Sequence, residues 1–147
     1  MADMELLTFP LLCFSEELVY VVHSAERLTT CSRVAFRSGY FRDLLLVDTT
    51  GRAIRVTGAT NPRILWRYWR SVLFANPLLR VELVCASEAE RCSVEDVRKR
   101  VLRSFSRWHG WSSRGDFEEL RARVRQASSI AELTRLLDDA PEVTKSR

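Results

Sequence analysis

Two apolar runs, Leu44–Val47 and Ala53–Val56, flank the short polar connector Asp48-Thr49-Thr50-Gly51. Each run is too short to build a helix with a buried face, and a glycine near the end of such a connector supplies the positive φ that tight reversals need. The stretch over 40–59 therefore predicts an antiparallel hairpin, with Arg52, Arg55 and Thr57 on a solvated face. An isolated hairpin is marginal in water, so the remaining chain must supply more strands and a helical cover.

Further strands are predicted at "ELVYVVHS" (17–24), which is rich in β-branched and aromatic residues, and at "LLRVELVCAS" (78–87), where Leu79, Val81 and Leu83 alternate with Arg80 and Glu82. Residues 28–39 read as a short helix ending at Gly39 with Thr30 or Ser32 as N-cap, or else as another strand. "NPRILWRYWRSVLF" (61–74) reads as a helix, because Asn61 can cap and Pro62 suits the first helical position. Asn76-Pro77 then breaks the chain.

From Ser93 onward the pattern is helical. Ser93-Val94-Glu95-Asp96 has capping-box form, and Val94, Val97, Val101, Leu102, Phe105 and Trp108 fall on one face at about 100° per residue. Asp116 opens a second helix with Phe117, Leu120 and Val124 inward. Ser129 opens a third with Ile130, Leu133, Leu136 and Leu137 inward. The expected fold class is α+β: an antiparallel sheet of three to five strands with flanking helices. The chain 1–147 reads as a single domain, sheet-rich over 15–86, helical over 93–138, with a frayed tail over 139–147. The expected core includes Leu44, Leu46, Val56, Leu65, Leu83, Val97, Val101, Phe105, Trp108, Phe117 and Leu133.

Composition bounds the rest. The chain has 147 residues, 46% hydrophobic and 29% charged, which suits one folded domain and argues against disorder. No apolar run approaches the ~18–20 residues of a membrane helix. Asp3 and Glu5 precede the N-terminal apolar run, unlike the basic start of a secretory signal, so that run reads as core and the protein as cytoplasmic. Cys13, Cys31, Cys85 and Cys92 form no C-x-x-C pair, and His23 and His109 are the only histidines. Reduced thiols are expected, with no metal site and no cofactor; a Cys85–Cys92 bridge would require export.

The stretch "RWHGWSSRGDFEEL" (107–120) has the residue types of a catalytic cluster but the layout of a corner between helices. Gly110 suits a left-handed C-cap, Trp111 can fold back on the last turn, and Asp116 can cap the next helix. His109 near a helix C-terminus has a structural use as a cation. Adjacent carboxylates such as Glu118–Glu119 diverge by about 100° on a helix and form no acid–base pair; Glu118 can instead meet Arg121, and Glu119 can meet Arg123. With no phosphate loop, G-x-S-x-G or H-E-x-x-H motif, no enzyme and no catalytic residue are expected.

Charge is the uneven property. The formal net charge is +4, but residues 61–126 carry a net +6 while the segments on either side carry −1 each. No acidic residue stands between Asp48 and Glu82, where Arg52, Arg55, Arg63, Arg67, Arg70 and Arg80 all occur. On a helix Arg63, Arg67 and Arg70 would share one face, with Trp66 and Trp69 beside it. Three readings follow: acids from elsewhere in the fold pair with these arginines or water solvates them, a protein partner with an acidic surface docks there, or nucleic acid does. The partner-binding residues expected are Arg63, Arg67, Arg70, Trp66, Arg52 and Arg55.

The hairpin "GYFRDLLLVDTTGRAIRVTGA" and the tail "RVLRSFSRWHGWSSRGDFEELRARVRQASSIAELTRLL" together resemble small bacterial α+β immunity proteins, the kind encoded beside polymorphic or type VI secreted toxins. The likeness runs over roughly residues 38–138 and consists of hydrophobic pattern, turn residues and the "SSIAEL" helix opening. It implies a non-enzymatic binder of a cognate toxin or effector protein. Because the chain is basic, it also implies an acidic toxin surface, or else a contact through the acidic edge near Asp43, Asp48 or Asp138–Asp139. A nucleic-acid-binding accessory domain and an effector adaptor are the alternatives.

Overall fold

Strands that are apolar at every position must be covered on both faces, and two such strands lie side by side in this sheet. A computed structural model of the chain describes residues 4–16, 18–69, 73 and 76–139. Its strands are β1 (Leu11–Phe14), β2 (Val19–Val22), β3 (Thr30–Ser32), β4 (Leu44–Val47), β5 (Arg52–Ile64), β6 (Leu78–Cys85) and β7 (Glu90–Arg91). All pairings are antiparallel, in the order β2-β1-β4-β5-β6-β3, with β7 on β5. β1 and β4 are buried at all positions. Their side chains alternate between two cores: Leu12, Phe14, Leu45 and Val47 join one, and Leu11, Cys13, Leu44 and Leu46 join the other.

The first core lies under the helices α3 (Val94–Arg107), α4 (His109–Ser112), α5 (Phe117–Gln126) and α6 (Ile130–Asp138). The second lies under Leu7, Phe41 and Leu28, the last carried by α1 (Ala25–Leu28). Local signals set the helix starts. Ser93 and Asp96 form the reciprocal capping box of α3, and the Ser129 hydroxyl accepts the Glu132 N–H at the start of α6. Residues 28–39 turn out to be both things the pattern allowed: β3, then α2 (Arg33–Arg37) capped by Ser32, with Gly39 at φ +76°.

Several expectations are corrected. Among the described residues the sheet has seven strands, not three to five, and spans 11–91 rather than 15–86. The additions are the N-terminal run and two strands of two or three residues, too short to show a period. Residues 61–64 are strand rather than helix, because β6 offers them a pairing edge: Arg63 pairs Arg80 and Ile64 pairs Leu79. Asn61, at φ 50°, and Pro62 sit in a bulge between Thr60 and Arg63, where a residue without an N–H costs no ladder bond.

The corner at 107–120 is a corner, but Gly110 is not its left-handed cap. α3 ends as Trp108 turns extended, and the Trp108 ring folds over Gly110, where a Cβ would meet it at 2.6 Å. Asp116 precedes α5 without capping it; its carboxylate takes Nε and a terminal nitrogen of Arg114, both at 2.9 Å. In the core, Trp111 is fully buried, whereas Trp108, Phe117, Leu65 and Leu83 are only half-buried.

The 48–51 connector is built around a buried carboxylate. Asp48 Oδ1 accepts from the Thr50 amide, the Thr50 hydroxyl and the Arg52 amide, and Oδ2 accepts from the Thr8 amide. Asp48 is therefore removed from the acidic edge considered for partner contact. Gly51, at φ +91°, lies against Cys92, whose amide donates to the Gly51 carbonyl at 2.8 Å. A Cβ there would meet the Cys92 carbonyl oxygen at 2.8 Å. Gly51→Ala is expected to cost on the order of 2 kcal/mol from the φ and the contact together, read as a shift in the urea midpoint with an unchanged slope.

No helix among the described residues is long and apolar enough to cross a membrane. None of the four cysteines forms a disulfide. Burial raises the thiol pKa of Cys31, Cys85 and Cys92, which leaves them poor nucleophiles.

Candidate interaction surfaces

β5 is longer than its neighbour β4. β4 pairs it only as far as Val56, and beyond that point β5 runs on against β6 alone. This extension, with β3 pairing the far edge of β6 at Leu78–Arg80, ends in a 3-10 turn, Trp66–Tyr68. Its large side chains find little to cover them: Trp66 is 66% exposed, Trp69 56%, Tyr68 44% and Leu73 71%.

Charge is concentrated beside these rings. An open groove of about 710 Å³ is lined by Glu26, Arg63, Ile64, Trp66, Arg67 and Arg80 among others. Antiparallel register sets Arg63 directly across from Arg80, a like-charge pair that needs a counterion. Glu26, in the first turn of α1, supplies it: one oxygen accepts from Arg67 and, at 3.3 Å, from Arg80. The hydrogen bond and charge of Arg67 hold the Glu26 carboxyl below its ordinary pKa, and Glu26 in turn raises that of Arg67. The Arg67 guanidinium also lies over the Tyr68 ring, 5.0 Å from its centre.

The structure thus gathers Arg63, Trp66 and Arg67 around one groove, but not on a helix face: Arg63 ends a strand and Arg67 belongs to the 3-10 turn. Arg70 lies outside the described residues. Arg52 and Arg55 do not join them, nor each other. Three positions apart on a strand, they point to opposite faces of the sheet. Arg52 donates to the Leu6 carbonyl at 3.2 Å. Arg55 points to the helix side, into a separate cleft of about 480 Å³ with Arg100 and Arg103 of α3. Sequence spacing missed Glu26, which comes to Arg67 across 41 positions. Only the strand register could have shown that Arg80 meets Arg63.

No family model, curated protein or solved structure matches this chain.

Proposed function

We propose that the chain is a non-enzymatic protein-binding domain that docks through Trp66, Trp69, Arg63 and Arg67. Its partner in this reading is a toxin or effector protein with an acidic surface, neutralised by being covered. The observation that carries the reading is the set of large rings exposed at the tip of the β5–β6 extension. Large exposed rings grouped within one short segment favour a contact site, and Trp, Tyr and Arg are the residues that most often dominate binding energy. Three arginines against one glutamate leave the groove positive, which favours an acidic partner. The resemblance to immunity proteins supports the neutralising role.

A phosphate backbone on these same residues is less well supported. Glu26 accepts from both Arg67 and Arg80 and so already engages the guanidinium groups that a phosphate would need. The test is affinity for the protein that co-purifies stoichiometrically from the source cell after nuclease treatment. Trp66→Ala with Trp69→Ala is expected to weaken that complex by at least about 2 kcal/mol, roughly 30-fold, with little change in melting temperature because both rings are exposed. An unchanged affinity would remove this surface from the reading.

A further inference from the structure

The cleft that receives Arg55 is chemically unlike the aromatic groove and, among the described residues, shares no lining residue with it. It forms where α3 crosses the sheet beside the β1–β2 turn and the loop before β4. Five arginines line it: Arg42, Arg55, Arg100, Arg103 and Arg107. Arg100, Arg103 and Arg107 stand at i, i+3 and i+7 of α3, so one helix face delivers all three. β5 delivers Arg55 from below, on the same face of the sheet as Ala53, which packs in the helix-side core. Arg42 comes from the loop, its side chain lying against Gly39.

Two carboxylates, Glu16 and Asp43, also line the cleft, which leaves its described lining with a formal excess of three positive charges. Arg107 donates to the Glu16 backbone carbonyl at 3.3 Å. Among the described residues, the guanidinium groups of Arg42, Arg55, Arg100 and Arg103 make no hydrogen bond or ion pair. Arg55 and Arg100 are half-buried as well. Like charges drawn together in a partly desolvated concavity raise the local potential and favour an anion there. Asp43 holds a left-handed φ of 58° at the rim, a strained backbone where the loop meets the cleft.

We infer that this cleft binds a small, multiply phosphorylated molecule, recognised through its phosphates. Several forked guanidinium donors converging from a helix, a strand and a loop suit tetrahedral oxyanions held in bidentate fashion. A volume near 480 Å³ is that of a ligand pocket rather than a single-ion site. Among the described residues the only ring in the lining, Phe14, is buried in the core, so they offer no platform for stacking a nucleobase, as single-stranded nucleic acid would require.

The test is isothermal titration calorimetry of the full chain with sodium tripolyphosphate, in parallel with a duplex oligonucleotide and with sulfate. One site per chain is expected. Arg42→Gln with Arg103→Gln, both exposed positions, is expected to weaken it at least about tenfold while melting unchanged. Trp66→Ala with Trp69→Ala is expected to leave it intact, so this proposal and the protein-docking proposal fail separately. Three results would each overturn the inference: no tripolyphosphate binding, equal affinity in the Arg42/Arg103 variant, or sulfate binding as tightly as tripolyphosphate. Displacement of tripolyphosphate by lower concentrations of the duplex would overturn it in favour of nucleic acid.

Discussion

Trp111→Ala is expected to destabilise the chain by about 3–5 kcal/mol, the range for truncating a large buried aromatic residue. Trp111 is fully buried and joins the turn after α3 to the helix-side core. Its ring centre lies 4.8 Å from that of Phe105 and 6.2 Å from that of Trp108. Removing it empties the place where α3 turns toward α5, and flanking helices anchored to the sheet cannot simply close the gap. Trp108→Ala is the informative comparison. Trp108 continues the apolar stripe of α3 in sequence, yet it is only half-buried, and its loss should cost about half as much or less. Denaturant unfolding of the two variants ranks them directly. Equal costs would mean that Trp108 is packed as deeply as Trp111.

Asp48→Ala carries the second large effect, on the order of 3 kcal/mol. Three backbone N–H groups and the Thr50 hydroxyl converge on that carboxylate, and truncation leaves these part-buried donors without their acceptor. Asp48→Asn should recover part of the loss, because its oxygen can replace Oδ1 while its NH2 opposes the Thr8 amide. Burial alone would raise the Asp48 pKa, but the hydrogen bonds from the Thr50 side chain and from the Thr8, Thr50 and Arg52 amides outweigh it and lower the value. A carboxyl depressed on folding contributes stability that is fully present above the unfolded-state value of about 3.9 and is lost as pH falls through the folded-state value. The stability gap between the native chain and Asp48→Asn should therefore be constant above about pH 5 and narrow in stronger acid. Melting temperatures measured from pH 7 down to pH 3 would show it.

Asp48 and Gly51 also illustrate what was legible in the chain before its structure. A hairpin closed by a four-residue connector is specified locally, and so are the serine-capped starts of α3 and α6, since the residues that decide them lie within four positions. The longest error, residues 61–64 read as the start of a helix over 61–74, has the opposite cause. Asn61-Pro62 satisfies the local rules for a helix start, but pairing with β6 converts the same dipeptide into a bulge. The uninterrupted apolar runs at Leu11–Phe14 and Leu44–Val47 pointed to strands covered on both faces, a consequence drawn for neither.

The binding surfaces were legible only in part. Exposed Trp66 beside Arg63 and Arg67 could be anticipated from composition, and the groove does contain them. Glu26 and Arg80 enter it through tertiary pairing that spacing does not encode. The arginine cleft was invisible because it is assembled from the β1–β2 turn, the loop before β4, β5 and α3. On α3 itself Glu95 and Asp96 stand about one turn before Arg100, a spacing that suits an ion pair, yet none forms between them among the described residues.

The most direct measurement is a quantitative co-purification from the source cell, after nuclease and at moderate salt. It compares the native chain, the Trp66→Ala/Trp69→Ala variant and the Arg42→Gln/Arg103→Gln variant. One acidic protein recovered at near-equal amounts with the native chain and the arginine variant, and lost with the tryptophan variant, is the predicted result. Recovery of that protein undiminished by the tryptophan variant, or of nucleic acid alone in the untreated arm, would contradict the account.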